Sequence, residues 1–393
     1  MSSSRVSGTM ARLVRLTKQI SRTHYVNYSS MPRPAISQNP VRSCNIKQTI
    51  IASSRKFQYF RGDDKNKGKG FGVAGIISGG FCLGILGFFE KKEELTPEDE
   101  LLIKIKRSIL AIQEGEVQKA ERHLSDAWKM STELEREDVK TQIMDIQANL
   151  ALQIGELDKA LRLFQLVTQR MVYHQNVEVT DNSVVEISIK LAQIFAMKGN
   201  KEESLTGFQY CVDTQREKIK QGVKDEDTLM LAAWALQSLA QAYMTEGTQE
   251  NKIDRANIAI AAEYEHEALA YVSEAVGQDS HQAVVIASDL ASILALQGNV
   301  DGALKQLEEC EKIAAEKYQY LRAAIRVNTG SLYLQKGEYS EANRVCKEAR
   351  MIAGMYKDLE SVMRADECIS KSRDEMSSDT YQQQQQQNRT STS

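Results

Sequence analysis

The stretch Ile146–Val167, IQANLALQIGELDKALRLFQLV, decides the fold of this chain. It holds two apolar patterns of helical period, separated by one glycine, Gly155. Five residues after the glycine stands Ala160, nine after it Phe164, and twelve after it Val167. The same skeleton recurs at Gly115/Ala120/Leu124/Ala127, Gly199/Ser204/Phe208/Cys211, Gly298/Ala303/Leu307/Cys310 and Gly337/Ala342/Cys346/Ala349. Glycine holds, at no steric cost, the positive φ that ends a helix. A small residue five on lets the second helix approach its neighbour. Positions nine and twelve on share one helical face, a turn apart. The fourth residue before each glycine (Ala111, Ala151, Phe195, Leu294, Tyr333) is expected to be packed. The motif is therefore helix, tight turn, helix. A sixth, degenerate copy places Leu239, Ala240 and Tyr243 before Gly247, and an insertion around Thr248–Asn257 delays its second helix to roughly Ala256–Val272.

This pattern resembles the tetratricopeptide repeat (TPR). The resemblance implies an all-α, TPR-like α–α superhelix of about six helical hairpins, a class of binding scaffold that seldom carries chemistry. The turn glycines lie 39 to 51 residues apart, so helices and connectors exceed those of the 34-residue repeat. Thr96–Pro97–Glu98–Asp99 reads as a helix start, with Thr96 as N-cap and Pro at the first helical position. Val276–His281 reads as a turn between repeats, with Asp279 or Ser280 capping the next helix. The array is assigned to 100–371, in about twelve helices, after a linker at 90–99. The tail at 372–393, with six consecutive glutamines at Gln382–Gln387, is read as disordered.

The first 62 residues are different in kind. They contain eleven Lys or Arg, no acid, and three of the four prolines of the chain. Such a segment cannot build a core. Within it, Met10–Arg22 (MARLVRLTKQISR) sets Leu13, Leu16 and Ile20 on one helical face and Arg12, Arg15 and Arg22 around the other. An acid-free, Arg- and Ser-rich amphipathic helix is the signature of a mitochondrial transit peptide, to which 1–62 is assigned. A disordered nucleic-acid-binding arm would share the charge but not the amphipathicity. Cleavage is expected near Arg22–Tyr25 or Arg55–Phe57. Beyond a linker at 63–70, Phe71–Phe89 (FGVAGIISGGFCLGILGFF) carries no charge. As a helix it is about 28 Å long, close to the ~30 Å hydrocarbon core of a bilayer, and it is read as one transmembrane helix. A phosphate-binding loop would need a terminal Lys-Ser/Thr, which is absent. Lys65, Lys67 and Lys69 precede the span, and the mainly acidic Glu90–Glu94 follows it. The positive-inside rule then puts the amino end in the matrix and the array in the intermembrane space, with the protein single-pass in the inner membrane.

The whole chain carries −3, and its first 62 residues are purely basic, so the remainder is acidic and poorly suited to nucleic acid. No catalytic constellation appears. The five histidines are scattered, and Glu265–His266–Glu267 lacks the second His of a zinc-peptidase helix. The six cysteines show no paired spacing. Cys211, Cys310 and Cys346 fall on packing positions of the repeat, where they are expected to act as small hydrophobes without a disulfide framework. No cofactor or metal is expected.

The candidate working surface follows from the register. In such a superhelix the first helix of each pair lines the concave face, and positions thirteen, ten, nine and six before the turn glycine stay out of the packing. They include Asp145 and Asn149, then Lys190 and Gln193, then Trp234, Gln237 and Gln241, then Ser288, Asp289 and Ser292, and last Asn328. A polar, amide-rich lining suits an extended peptide, whose backbone needs donors and acceptors. The competing reading of each is a merely solvated helix face.

Ile146–Phe164 (IQANLALQIGELDKALRLF), Val185–Ala196 (VEISIKLAQIFA) and Ser288–Gly302 (SDLASILALQGNVDG) resemble the tetratricopeptide repeat protein 19 family of mitochondria. The resemblance extends over roughly 101–370. It leaves out the presequence, the Thr248–Asn257 insertion and the glutamine run. It implies a non-enzymatic inner-membrane factor whose partners are subunits of respiratory complex III. Such a factor supports assembly or upkeep of the complex by helping to clear fragments of the Rieske iron–sulfur subunit. The residues by themselves support only a membrane-tethered helical scaffold. A mitochondrial adaptor or receptor for other clients, in import, fission or proteolysis, remains the alternative.

Overall fold

Thr96 opens the first helix as expected. Its hydroxyl accepts from Asp99 N at 3.2 Å, and the Asp99 carboxylate accepts from Thr96 N at 3.2 Å, with Pro97 at the first helical position. The Thr96 hydroxyl also donates to the Asp99 carboxylate at 2.7 Å, and this bond, with the one from Thr96 N, holds the Asp99 carboxyl below its ordinary range. The computed structural model describes residues 96–248 and 253–390, with side chains as far as 377. The segments assigned to the transit peptide (1–62) and the transmembrane helix (71–89) lie outside the described residues. No helix among the described residues is long and apolar enough to cross a membrane.

The chain divides into two compact units between Val223 and Lys224. The first contains three hairpins: α1 (Pro97–Gln113) with α2 (Val117–Glu133), α3 (Glu137–Gln153) with α4 (Leu157–Tyr173), and α5 (Asn182–Met197) with α6 (Lys201–Lys220). The second pairs α7 (Glu226–Gly247) with α8 (Arg255–Val276), α9 (His281–Leu296) with α10 (Val300–Lys317), and α11 (Arg322–Lys336) with α12 (Tyr339–Met355). A last helix, α13 (Leu359–Thr390), packs on α12 and α11. The described residues contain no strand, and the fold is an all-α, TPR-like helical repeat.

The turn glycines do what the repeat demands. Gly115, Gly155, Gly199, Gly298 and Gly337 all hold φ between +77° and +91°. At Gly155 the glycine N–H donates to Leu152 O at 3.2 Å, and the following Glu156 N–H donates to Ala151 O at 2.8 Å. The other four turns repeat this paired closure of the helix end. It uses the carbonyl of the residue four before the glycine. That residue is buried at Ala111, Ala151 and Phe195 and half-buried at Leu294 and Tyr333. All fifteen positions five, nine and twelve after these glycines are at most 3 % exposed. Between hairpins the same closure recurs on Glu135 (φ 55°), Gly222 (φ 91°) and Lys357 (φ 56°). Two of these are not glycines, so the sequence does not advertise those turns. Gly247 is a different case: it ends α7 without a positive φ, and a Cβ there would lie 2.9 Å from Ile258 Cδ1. Ser280, not Asp279, caps α9, accepting from Ala283 N at 3.2 Å. Asp279 instead pairs with Lys317 at 3.0 Å.

Two expectations are corrected at the C-terminal end. Cys346 is not a free small hydrophobe: it forms a disulfide with Cys368, tying α12 to α13 with their Cα atoms 6.2 Å apart. Spacing did not reveal the pair, because its partner sits on a helix outside the glycine-marked repeats. Nor does the helical part stop near 371. α13 runs through the glutamine run to Thr390, which gives thirteen α-helices among the described residues instead of about twelve. Glutamine is a good helix former, and α13 contains neither Gly nor Pro, so a buried first half can propagate the helix into the second. Burial on α13 follows helical spacing, at Ser361, Ala365, Cys368, Ile369 and Ser372.

Candidate partner-binding faces

The repeat register places the first helices of the hairpins so that one side bears the polar positions. In the first unit these are Asp145 and Asn149 on α3 and Lys190 and Gln193 on α5. In the second they are Trp234, Gln237 and Gln241 on α7, Ser288, Asp289 and Ser292 on α9, and Asn328 on α11. Asp145, Asn149, Gln237, Gln241, Asp289, Ser292 and Asn328 are half-buried.

The expectation that all these positions stand clear of the packing fails at four of them. Lys190, Gln193, Trp234 and Ser288 are only 4–7 % exposed. The reason is visible in α5, where eleven of sixteen residues are buried, leaving little open side. Lys190 shows how a charge tolerates this. Its ammonium pairs with Glu186 one turn back at 2.8 Å and lies 5.5 Å from the centre of the Phe164 ring. It is thus part of the α4–α5 core.

Several polar groups on these faces are already engaged. Asn149 Nδ2 donates to Asp145 O within α3 at 2.8 Å. Asn328 Nδ2 donates to Ser288 Oγ at 3.0 Å, and Asn328 Oδ1 accepts from Arg364 of α13 at 2.6 Å. The relay Ser288–Asn328–Arg364 therefore crosses α9, α11 and α13. Arg364 was invisible to the glycine register because α13 has no turn glycine. The period of burial along 361–372 was the signal that could have found it. Elsewhere in this unit Glu311 accepts from Arg322 and Arg326 at 2.9 Å each, Arg326 also reaches Glu348, and Arg344 Nη1 donates to Glu348 at 2.8 Å. This partly buried ladder ties α10, α11 and α12 together and is structural.

Two clefts adjoin these helices. In the first unit about 320 Å³ opens over Leu124, Leu150, Leu163 and Leu166 between α2, α3 and α4, with Lys159 and Arg162 at the edge. In the second unit about 110 Å³ opens between α11 and α13. Neither brings nucleophile, base and oxyanion donors together. Among the described residues no group of three His, Cys, Asp or Glu is placed to hold a metal. The free thiols among the described residues are inert. Cys211 and Cys310 donate weakly to Val185 O and Val284 O, at 3.9 and 3.8 Å. Burial pushes the Cys310 thiol up to about 12 and Cys211 higher still, so neither supplies a thiolate.

The arrangement can hold a polypeptide, and similarity to known proteins agrees. Tetratricopeptide repeat protein 19, mitochondrial, of Rattus norvegicus is 30 % identical over 274 residues, covering 67 % of this chain and 72 % of that protein. The chain belongs to the tetratricopeptide repeat protein 19 family. The Drosophila melanogaster homologue of that protein, also named mitochondrial, is 26 % identical over 304 residues, covering 77 % of this chain and 79 % of its own length. Among solved structures, BtubC (BKLC) from P. vanneervenii is 16 % identical with a TM-score of 0.47, covering 62 % of this chain and 92 % of its own. No family model matches the chain. Membership of this family makes the chain a protein-interaction scaffold.

Proposed function

We propose that this chain is a non-enzymatic mitochondrial scaffold, anchored in the inner membrane by Phe71–Phe89, that binds respiratory complex III. In this reading it supports assembly and upkeep of the complex through turnover of Rieske iron–sulfur subunit fragments. The observation that carries the reading is kinship with the tetratricopeptide repeat protein 19 family over 274 residues. The half-buried polar positions, on α3 in the first unit and on α7, α9 and α11 in the second, are the proposed client-binding groups, each unit's set acting as donors and acceptors for an extended segment. The Cys346–Cys368 disulfide supports the topology, since disulfides persist in oxidising compartments and are disfavoured in reducing ones. An array on the intermembrane side fits this better than one in the matrix.

The test is affinity purification of the full-length chain from detergent-solubilised mitochondria, followed by native electrophoresis. Co-migration with complex III is the expected result. Stoichiometric capture of import, fission or protease components without complex III would replace this reading with that of an adaptor for other clients.

A further inference from the structure

We infer that the cleft between α11 and α13 is a binding site for a carboxylate on a short aliphatic stem, supplied by the client. This rests on the reading of the first-helix faces as client-binding and names the chemistry at one end of that face. Val327, Leu334 and the disulfide-bonded Cys368 form its apolar wall. Arg364, Lys371, Ser331 and Glu367 are the exposed residues of its lining. Arg364 and Lys371 lie seven residues apart, two turns along one side of α13.

The arginine is positioned in advance. One of its N–H groups donates to Asn328 Oδ1 at 2.6 Å, and Asn328 is itself held by Ser288 at 3.0 Å. A guanidinium has five N–H donors and no acceptor, so donors remain for a ligand oxygen. Lys371 pairs with Glu367 at 2.8 Å, but both side chains are more than half exposed. An exposed pair of this kind is weak and exchanges readily for another carboxylate. Two cations against one acid select an anion. The volume of about 110 Å³ admits a carboxyl group with a few methylenes. A glutamate side chain and the terminal carboxylate of a small residue both meet the description. Because Asn328 lies on α11 beside this cleft, a chain lying along α9 and α11 would deliver its carboxylate there.

The test uses the full-length protein in mild detergent and three dye-labelled pentapeptides, read by fluorescence anisotropy. One is pentaalanine with a free terminal carboxylate, one is its amide, and one is the amide with a central glutamate. At least one carboxylate peptide is expected to bind about three- to tenfold more tightly than the plain amide. Preference for the free terminus assigns a chain end, preference for the glutamate peptide assigns a side chain, and preference for both supports the shared chemistry. Arg364→Ala and Lys371→Ala should each abolish the advantage, whereas Arg162→Ala in the first unit should leave it. Equal binding of all three peptides overturns the inference, as does an undiminished preference in a variant whose circular dichroism matches wild type. If Arg364→Ala fails to fold, Lys371→Ala decides between the same two outcomes. Loss of the complex III interaction would not move the peptide result, so the two readings fail separately.

Discussion

Phe164 shows what a single position in this repeat must satisfy. It is fully buried nine residues after Gly155, beneath the Lys190 ammonium and one turn from Val167. The position was legible because the glycine fixes the helix start and helical period fixes the rest. Ala120, Ala160, Ala303 and Ala342, five after their glycines, are all 0 % exposed, which shows that the small residue is a requirement of close helix approach. Ala160→Leu and Ala303→Leu are expected to overpack their hairpins and to cost roughly 1–3 kcal/mol each, read as a drop in urea midpoint. Midpoints unchanged in both variants would contradict the register. The polar positions were less legible. Sequence period identifies the side of the helix on which Lys190 or Gln193 lies. It does not say whether a long neighbour covers that side, and here the coverage leaves both of them buried.

At the scale of elements, the twelve helices of the six hairpins follow from glycine punctuation, including the late α8 behind its insertion. α13 does not, because Lys357 takes the left-handed turn that precedes it without a glycine to mark it. This helix closes the second unit. Its Cys368 bonds to Cys346, and the pair sits against Gly330 of α11, where a Cβ would lie 2.2 Å from Cys346 Sγ. Asn343 adds a hydrogen bond to Ser372 Oγ at 2.8 Å. A disulfide closing a loop of 22 residues stabilises by about 3 kcal/mol in the chain-entropy account. The double variant Cys346→Ser/Cys368→Ser should therefore unfold at a clearly lower temperature, and reductant should bring the wild type towards it. Mass spectrometry of the unreduced protein should recover the 346 and 368 peptides joined. Two free thiols there, in protein isolated under oxidising conditions, would refute the pairing. The sequence could not disclose this bond, because cysteine spacing carries no signal when the partners lie on adjacent helices of different origin in the pattern.

At the scale of the whole molecule, a basic amino-terminal address, one apolar span and an acidic helical array are read as parts of a single tethered scaffold. In the proposed reading, the Lys-rich flank before Phe71 and the disulfide in the second unit both put the array on the intermembrane side. Protease added after rupture of the outer membrane is expected to degrade the array, and its survival until the inner membrane is lysed would reverse the orientation. The central claim is that the half-buried polar positions of the first helices hold complex III. The variant that tests it replaces Asn149, Gln237, Gln241 and Ser292 with Ala together. None of the four is fully buried, so the fold should tolerate the change. Each backbone-directed hydrogen bond contributes only about 0.5–1.5 kcal/mol, so the set is needed and single changes are expected to be nearly silent. The decisive measurement is the amount of complex III co-purifying with this variant, compared with wild type, after its thermal midpoint and inner-membrane location are verified. A loss of roughly tenfold or more is expected from the summed bonds, whereas a wild-type yield from the folded, correctly located variant would contradict the claim.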